Sequence, residues 1–255
     1  MLLGVPPREI LGEVGWVYRV DVLLSPVGLL AAFGAAEKPY TVLLVVPLVG
    51  LFMIFARERT ARVTQAIELS GAYRGTALLL GDVIEADDEY TGQHTQDVVE
   101  LTVAVADKLG VDEETRRAAE FGALLHDVGK VAIPNEIINK PGPLDDGEWA
   151  IMKTHTVEGQ RMLERVGGLL AKVGVVVRAS HERYDGGGYP DGLAGEQIPL
   201  AARIVSACDA FNAMTTDRSY RKALSLEVAV GELRKNAGTQ FDPDVVDALV
   251  ALATA

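Results

Sequence analysis

The stretch "DEETRRAAEFGALLHDVGK", Asp112 to Lys130, begins on an Asp able to cap a helix and runs through apolar residues at helical spacing. It ends on His126-Asp127, with Lys130 three residues further on. A helix that terminates in an imidazole and a carboxylate delivers two metal-binding or acid–base groups to one place. Outward from this stretch the same period recurs. "TQDVVELTVAVADKLG" has helical apolar spacing and a glycine stop. "DDGEWAIMKTHTVEGQRML", "LAARIVSACDAFNAMTTD", "SLEVAVGELRKNAG" and "DPDVVDALVALA" repeat the theme, the last with Asp242 as cap and Pro243 at the first helical position. No alternating strand pattern survives, so the region from about residue 89 is expected to be all-α.

The N-terminal part differs in kind. From Pro39 to Ala56, "PYTVLLVVPLVGLFMIFA" carries no charge over 18 residues, close to the roughly 20 that span a bilayer. The basic flank "RERTAR" follows at once, as on the cytoplasmic side of a membrane helix. A weaker apolar run, "VLLSPVGLLAAFGAA" (Val22 to Ala36), precedes it. The expected organisation is a membrane segment over 1–56, with candidate transmembrane helices at about 16–36 and 39–56. A linker helix over 57–88 and a helical domain over 89–255 follow. That places the domain in the cytoplasm at the inner membrane. The proline-free linker suggests a rod able to pair with a second copy, a homodimer, although no clean heptad is present.

Charge narrows the function. The net −12 is uneven, +1 over residues 1–76 and −13 over 77–255. So acidic a domain repels polyanions, which argues against DNA or RNA as partner. The single cysteine, Cys208, excludes an intramolecular disulfide and reads as a small buried apolar residue.

Only four histidines occur, His94, His126, His155 and His181. His126 precedes Asp127, His181 precedes Glu182, and Asp209 sits in the middle of the apolar helix "SACDAFNAM". A carboxylate there needs a partner, because burying an unpaired charge costs several kcal/mol. A divalent ion is an economical partner for Asp127, Asp209 and imidazoles, and such a mixed set suits Fe, Mn, Zn or similar ions. No two histidines lie within one helical turn, which excludes a zinc-finger or HExxH pattern. The turn-rich "SHERYDGGGYP", Ser180 to Pro190, lies directly around the fourth histidine.

"HDVGK" (126–130) followed by "HERYDGGGYP" (181–190) resembles the HD-GYP family of bacterial cyclic di-GMP phosphodiesterases, a branch of the HD-domain metal phosphohydrolases. The resemblance covers roughly 77–255. It includes "YTGQHTQDVV", "IPNEIINKPGPL", "MKTHTVEG", "DGLAGEQIPLAARIVSACDAFNAMTTDRSYRKAL" and "GTQFDPDVV". It implies an HD-domain helical bundle with the HD-GYP extension, and two divalent metal ions, Fe or Mn. One ion would be held by His94, His126, Asp127 and Asp209, the other by Asp127 as bridge with His155 and His181. Asp127 and Lys130 would be catalytic, with Lys130, Arg218 and Arg221 on the substrate's phosphates. The spacing within "DRSYRK" puts Arg218, Arg221 and Lys222 on one helical face. Gly188, Tyr189 and Pro190 would form the GYP loop, a contact surface for a partner such as a diguanylate cyclase.

Three departures stand out. Ser180 replaces a histidine usual in the family, which would leave the second metal site weakened or completed by water. Tyr90 stands where some members place a glutamate for a third metal. Asn212 stands where a carboxylate often contacts the ligand. The expected activity is metal-dependent hydrolysis of cyclic di-GMP to pGpG or GMP. The alternatives are a receptor that binds cyclic di-GMP or a partner without turnover, and a phosphohydrolase of another cyclic dinucleotide or nucleotide.

Overall fold

The computed structural model describes residues 22, 25–26, 28–29, 32–86, 93–217 and 222–254. Among these every regular element is helical, and the strand-like contacts are two isolated bridges, Asp185 with Ala194 and Ala237 with Phe241. The chain divides into two compact units, 1–70 and 71–255.

The first unit corrects one expectation. Pro39–Leu44 is a 3-10 helix, and helix α1 (Val45–Ala86) begins only after it. The charge-free part of α1 therefore ends at Ala56, before Arg57, Glu58 and Arg59, with too few apolar residues for a membrane-length α-helix. No helix among the described residues is long and apolar enough to cross a membrane. Much of the weaker candidate, 16–36, lies outside the described residues. Residues 57–86 are the continuation of α1.

The second unit is the helical domain. Helix α2 (Gln93–Leu109) stops at Gly110, whose φ of 67° is a left-handed conformation that glycine adopts without strain. Helix α3 (Glu113–Leu125) starts where Asp112 accepts a hydrogen bond from the Thr115 N–H at 2.8 Å, and ends on His126. A 3-10 helix (Val128–Ala132) follows Asp127. The short α4 (Asn135–Ile138) leads to α5 (Asp146–Lys153) and α6 (His155–Val166). The last two were expected as one helix. They separate at Thr154, whose N–H and hydroxyl both donate to the Ile151 carbonyl, tightening the turn by one residue. Helices α7 (Gly168–Arg178), α8 (Leu200–Thr215), α9 (Leu226–Lys235) and α10 (Pro243–Ala253) complete the unit. Asp242 caps α10 as its sequence predicts, accepting from the Asp244 N–H at 2.9 Å.

One apolar core joins α2, α3, α7, α8, α9 and α10, through Val98, Val105, Leu124, Val173, Val177, Ile204, Val205, Leu233, Val245 and Leu249. Cys208 lies fully inside it, and burial pushes its thiol up to about 12. This core sets the helices that carry the site, at the ends of α2, α3 and α6 and in the middle of α8.

Candidate metal centre

The HD pair stands at a backbone junction. His126 caps α3, and Asp127 (φ −98°, ψ 3°) turns the chain into the 3-10 helix. That segment lies against the start of α6 with almost no space between the backbones. A Cβ on Gly129 would sit 1.8 Å from the His155 carbonyl oxygen and 2.6 Å from the Gly159 nitrogen. Two glycines, 129 and 159, therefore fix how close Asp127 comes to His155.

Asp127 is the hub. Its Oδ2 accepts from Lys130 Nζ at 2.9 Å and lies 3.5 Å from His126 Nε2. Its Oδ1 lies 3.6 Å from His155 Nε2. Asp209, on α8, faces His94 Nε2 at 3.3 Å and His126 Nε2 at 4.0 Å. Ligand atoms of Asp127, His155 and His181 all fall within 4.8 Å of one another. The structure thus brings together all six sequence-predicted ligands, from five separate parts of the chain.

The imidazoles are set up as ligands. His126 Nδ1–H donates to the Ala123 carbonyl at 2.8 Å and His155 Nδ1–H to the Met152 carbonyl at 2.7 Å. His94 Nδ1–H donates to Asn212 Oδ1 at 2.5 Å. Each bond fixes the tautomer that leaves Nε2 with its lone pair. The His155 and His181 Nε2 atoms are buried and have no hydrogen-bond partner. Such orphaned acceptors are costly unless something outside the chain satisfies them, and a divalent ion does so. The donor set, neutral imidazoles around carboxylates, fits such an ion. The carboxylates are also the open side: Asp127 and Asp209 are 26% and 25% exposed, against 3% for His155 and 6% for His126.

Electrostatics point the same way. Burial raises the Asp127 carboxyl, but Lys130 and then the His126, His155 and His181 imidazoles outweigh it, leaving it well below the usual range. Burial likewise opposes Asp209, yet the His94 hydrogen bond and then the neighbouring His126 ring hold it at about 2. Burial lowers His155, and burial with the neighbouring His155 takes His181 down to about 4. Near neutral pH the carboxylates are charged and these imidazoles neutral, the states that bind metal.

Other residues divide into those the structure places and those it leaves aside. The Ser180 hydroxyl is buried and donates to the Val177 carbonyl at 2.9 Å. Tyr189 of the GYP loop stacks on His181, ring centroids 5.2 Å apart and 14° between planes, and meets His155 edge-on at 6.4 Å. Gly188 is required there, because a Cβ would stand 2.3 Å from the Arg183 nitrogen. Arg218, Arg221 and Tyr90 lie outside the described residues. Lys222 is exposed and non-helical, so it does not itself sit on the helical face expected for it.

Two residues named in the sequence take roles that the sequence does not announce. Glu182 is buried and accepts from the N–H groups of Asp191 (2.7 Å), Gly192 and Leu193 (both 3.1 Å), tying down the far side of the GYP loop. Asn212 orients His94. Its i+3 spacing from Asp209 on α8 was the available signal.

A family model described as an HD domain matches residues 79–245. The chain belongs to the HD-domain family, as an HD-GYP-type member. It is 40% identical over 184 residues to the cyclic di-GMP phosphodiesterase response regulator RpfG of Xanthomonas campestris, covering 72% of this chain and 49% of that protein. It is 38% identical over 172 residues to the 3'3'-cGAMP-specific phosphodiesterase 2 of Vibrio cholerae, covering 67% of this chain and 33% of that one. A crystal structure of a cyclic GMP-AMP specific phosphodiesterase of Vibrio cholerae shares the fold, with a TM-score of 0.53 at 19% identity over 70% of this chain and 48% of that one. The HD-GYP chain spans about half the length of RpfG and a third of the cGAMP enzyme.

Proposed function

We propose that this HD-GYP protein is a metal-dependent phosphodiesterase that hydrolyses cyclic di-GMP to pGpG or GMP. One observation carries the reading: a single carboxylate, Asp127, lies between two sets of ligands with the Lys130 ammonium on its Oδ2. His94, His126, Asp127 and Asp209 would hold one ion, and Asp127, His155 and His181 a second, with Fe or Mn suited to both sets. Bound there, two such ions supply Lewis-acid polarisation of a phosphodiester and acidify water. The chain's own residues do the rest. Asp127 and Asp209 stay ionised and neutralise the bound charge. Lys130, one turn beyond the hub, stabilises negative charge building on the phosphoryl oxygens. Arg218 and Arg221 attract the substrate's phosphates into an otherwise acidic domain.

A second substrate, 3'3'-cGAMP, is favoured by the 38% identity to an enzyme named for it, close to the 40% for a cyclic di-GMP enzyme. Cations that recognise phosphates do not separate the two. The test is turnover of each dinucleotide by the chain loaded anaerobically with Fe(II) or Mn(II), with Asp127→Ala as control. Release of pGpG or GMP, lost in the control, supports the hydrolase. Tight binding without turnover overturns it in favour of a receptor.

A further inference from the structure

Beside the metal centre lies a second feature that hydrolysis itself does not use. Helix α5 buries none of its side chains, yet it carries a tryptophan, Trp149, 46% exposed. Lys153, one turn on, places its Nζ 5.9 Å from the Trp149 ring and 5.5 Å from the Tyr189 ring. Tyr189 in turn stacks on His181. The order Trp149, Lys153, Tyr189, His181 is thus a continuous track from solvent to the metal-facing imidazoles.

The track is rigidly mounted. Asp145 and Glu148 form a reciprocal cap at the start of α5, and Lys140 bonds Glu148 at 2.5 Å. Among the described residues Lys153 forms no ion pair, so its charge is turned toward the two rings and the solvent. Tyr189 is occupied, with His181 stacked against it and Lys153 over its ring. Trp149 keeps an open aromatic surface. An exposed indole with a cation beside it matches a nucleotide: a purine stacks on the ring while the ammonium meets a phosphate.

We infer that Trp149 is a stacking platform for a purine base of the substrate, and that Lys153 binds the phosphate not being cleaved. This rests on the proposed hydrolase reading and adds the residues that select a purine dinucleotide over a simple diester. Stacking of this kind corresponds to about 5- to 150-fold in affinity.

Two measurements on the full chain test it. The first compares kcat/KM for cyclic di-GMP with kcat/KM for bis(4-nitrophenyl) phosphate, a diester without a purine. Trp149→Ala should lower that ratio by about 5- to 150-fold, with Trp149→Phe recovering part of the loss. Lys153→Met should lower it by an amount that shrinks as salt is raised. The second is tryptophan emission, since Trp16 and Trp149 are the chain's two tryptophans. Cyclic di-GMP should quench the wild type and Trp16→Phe, but not Trp149→Phe. Wild-type turnover with an unchanged ratio in Trp149→Ala and undiminished quenching in Trp149→Phe overturns the platform and leaves the hydrolase standing. Quenching that depends on Trp149 without turnover keeps the platform and removes the hydrolase. Neither turnover nor quenching in the wild type overturns both.

Discussion

Gly129 and the carbonyl of His155 are in direct backbone contact, so close that any Cβ at position 129 would overlap the oxygen at 1.8 Å. The backbone of both segments must move to admit a methyl group, and neither neighbour is a side chain that can rotate away. Gly129→Ala should therefore separate Asp127 from His155. We predict a loss of about 1–3 kcal/mol in denaturant unfolding, together with loss of bound metal measured by elemental analysis. A variant that keeps full metal content would show that the centre tolerates the shift.

Asn212 is the side-chain partner of His94, where His126 and His155 use backbone carbonyls three residues back. A backbone carbonyl survives mutation, whereas Asn212 can be removed. Asn212→Ala should free the His94 ring to rotate and weaken metal binding by about 10- to 100-fold, read by competition with a calibrated chelator. Asn212→Asp keeps the acceptor and adds charge, so it should bind at least as tightly as wild type. Equal weakening in both variants would point to packing instead.

How much of this site was legible follows from what kind of contact each residue makes. His126 and Asp127 announce themselves, because a helix capped by Asp112 ends on them in sequence. Asp209 does too, as a carboxylate among apolar residues at helical spacing. Their convergence with His94, His155 and His181 required the resemblance, since it depends on tertiary packing of several helices. The role of Glu182 was not legible, because its oxygens are spent on N–H groups nine to eleven residues later. Hydropathy also overreached at Pro39 to Ala56, because it counts apolar residues without locating the 3-10 to α junction at Val45.

Glu182 should matter to stability more than to chemistry. Three N–H groups converge on a carboxylate that is 3% exposed, and truncation leaves them without an acceptor. Glu182→Ala should cost about 3 kcal/mol or more, taking about 1–3 kcal/mol for each buried group left unpaired. Glu182→Gln, which keeps one acceptor oxygen, should cost less. Chemical denaturation of the two variants ranks them, and the reverse order would show that charge at Glu182 is the part that counts.

Ser180 makes a sharper claim. Its hydroxyl is used on the Val177 carbonyl inside the protein. Ser180→Ala should leave metal stoichiometry unchanged and lower stability by only about 1 kcal/mol, the net worth of one hydrogen bond. Loss of one equivalent of metal in this variant would make the serine a ligand, directly or through water.

The pH dependence of the metal-free chain follows from His181. Its folded pKa of about 4 lies below the ordinary imidazole value near 6.5. Between these limits the unfolded chain binds more protons than the folded one, so stability rises with pH across that window. Falling pH therefore removes stability from about pH 6.5 downward, and the loss ends only once the folded imidazole itself is protonated. His155, lowered by burial, adds in the same direction. Asp209, with its folded pKa near 2, gives a separate loss at lower pH, below the ordinary carboxylate range. Denaturant midpoints in chelator should fall between pH 7 and pH 5, and His181→Gln should flatten that slope because the titrating group is gone. An unchanged slope in His181→Gln would assign the effect to another group.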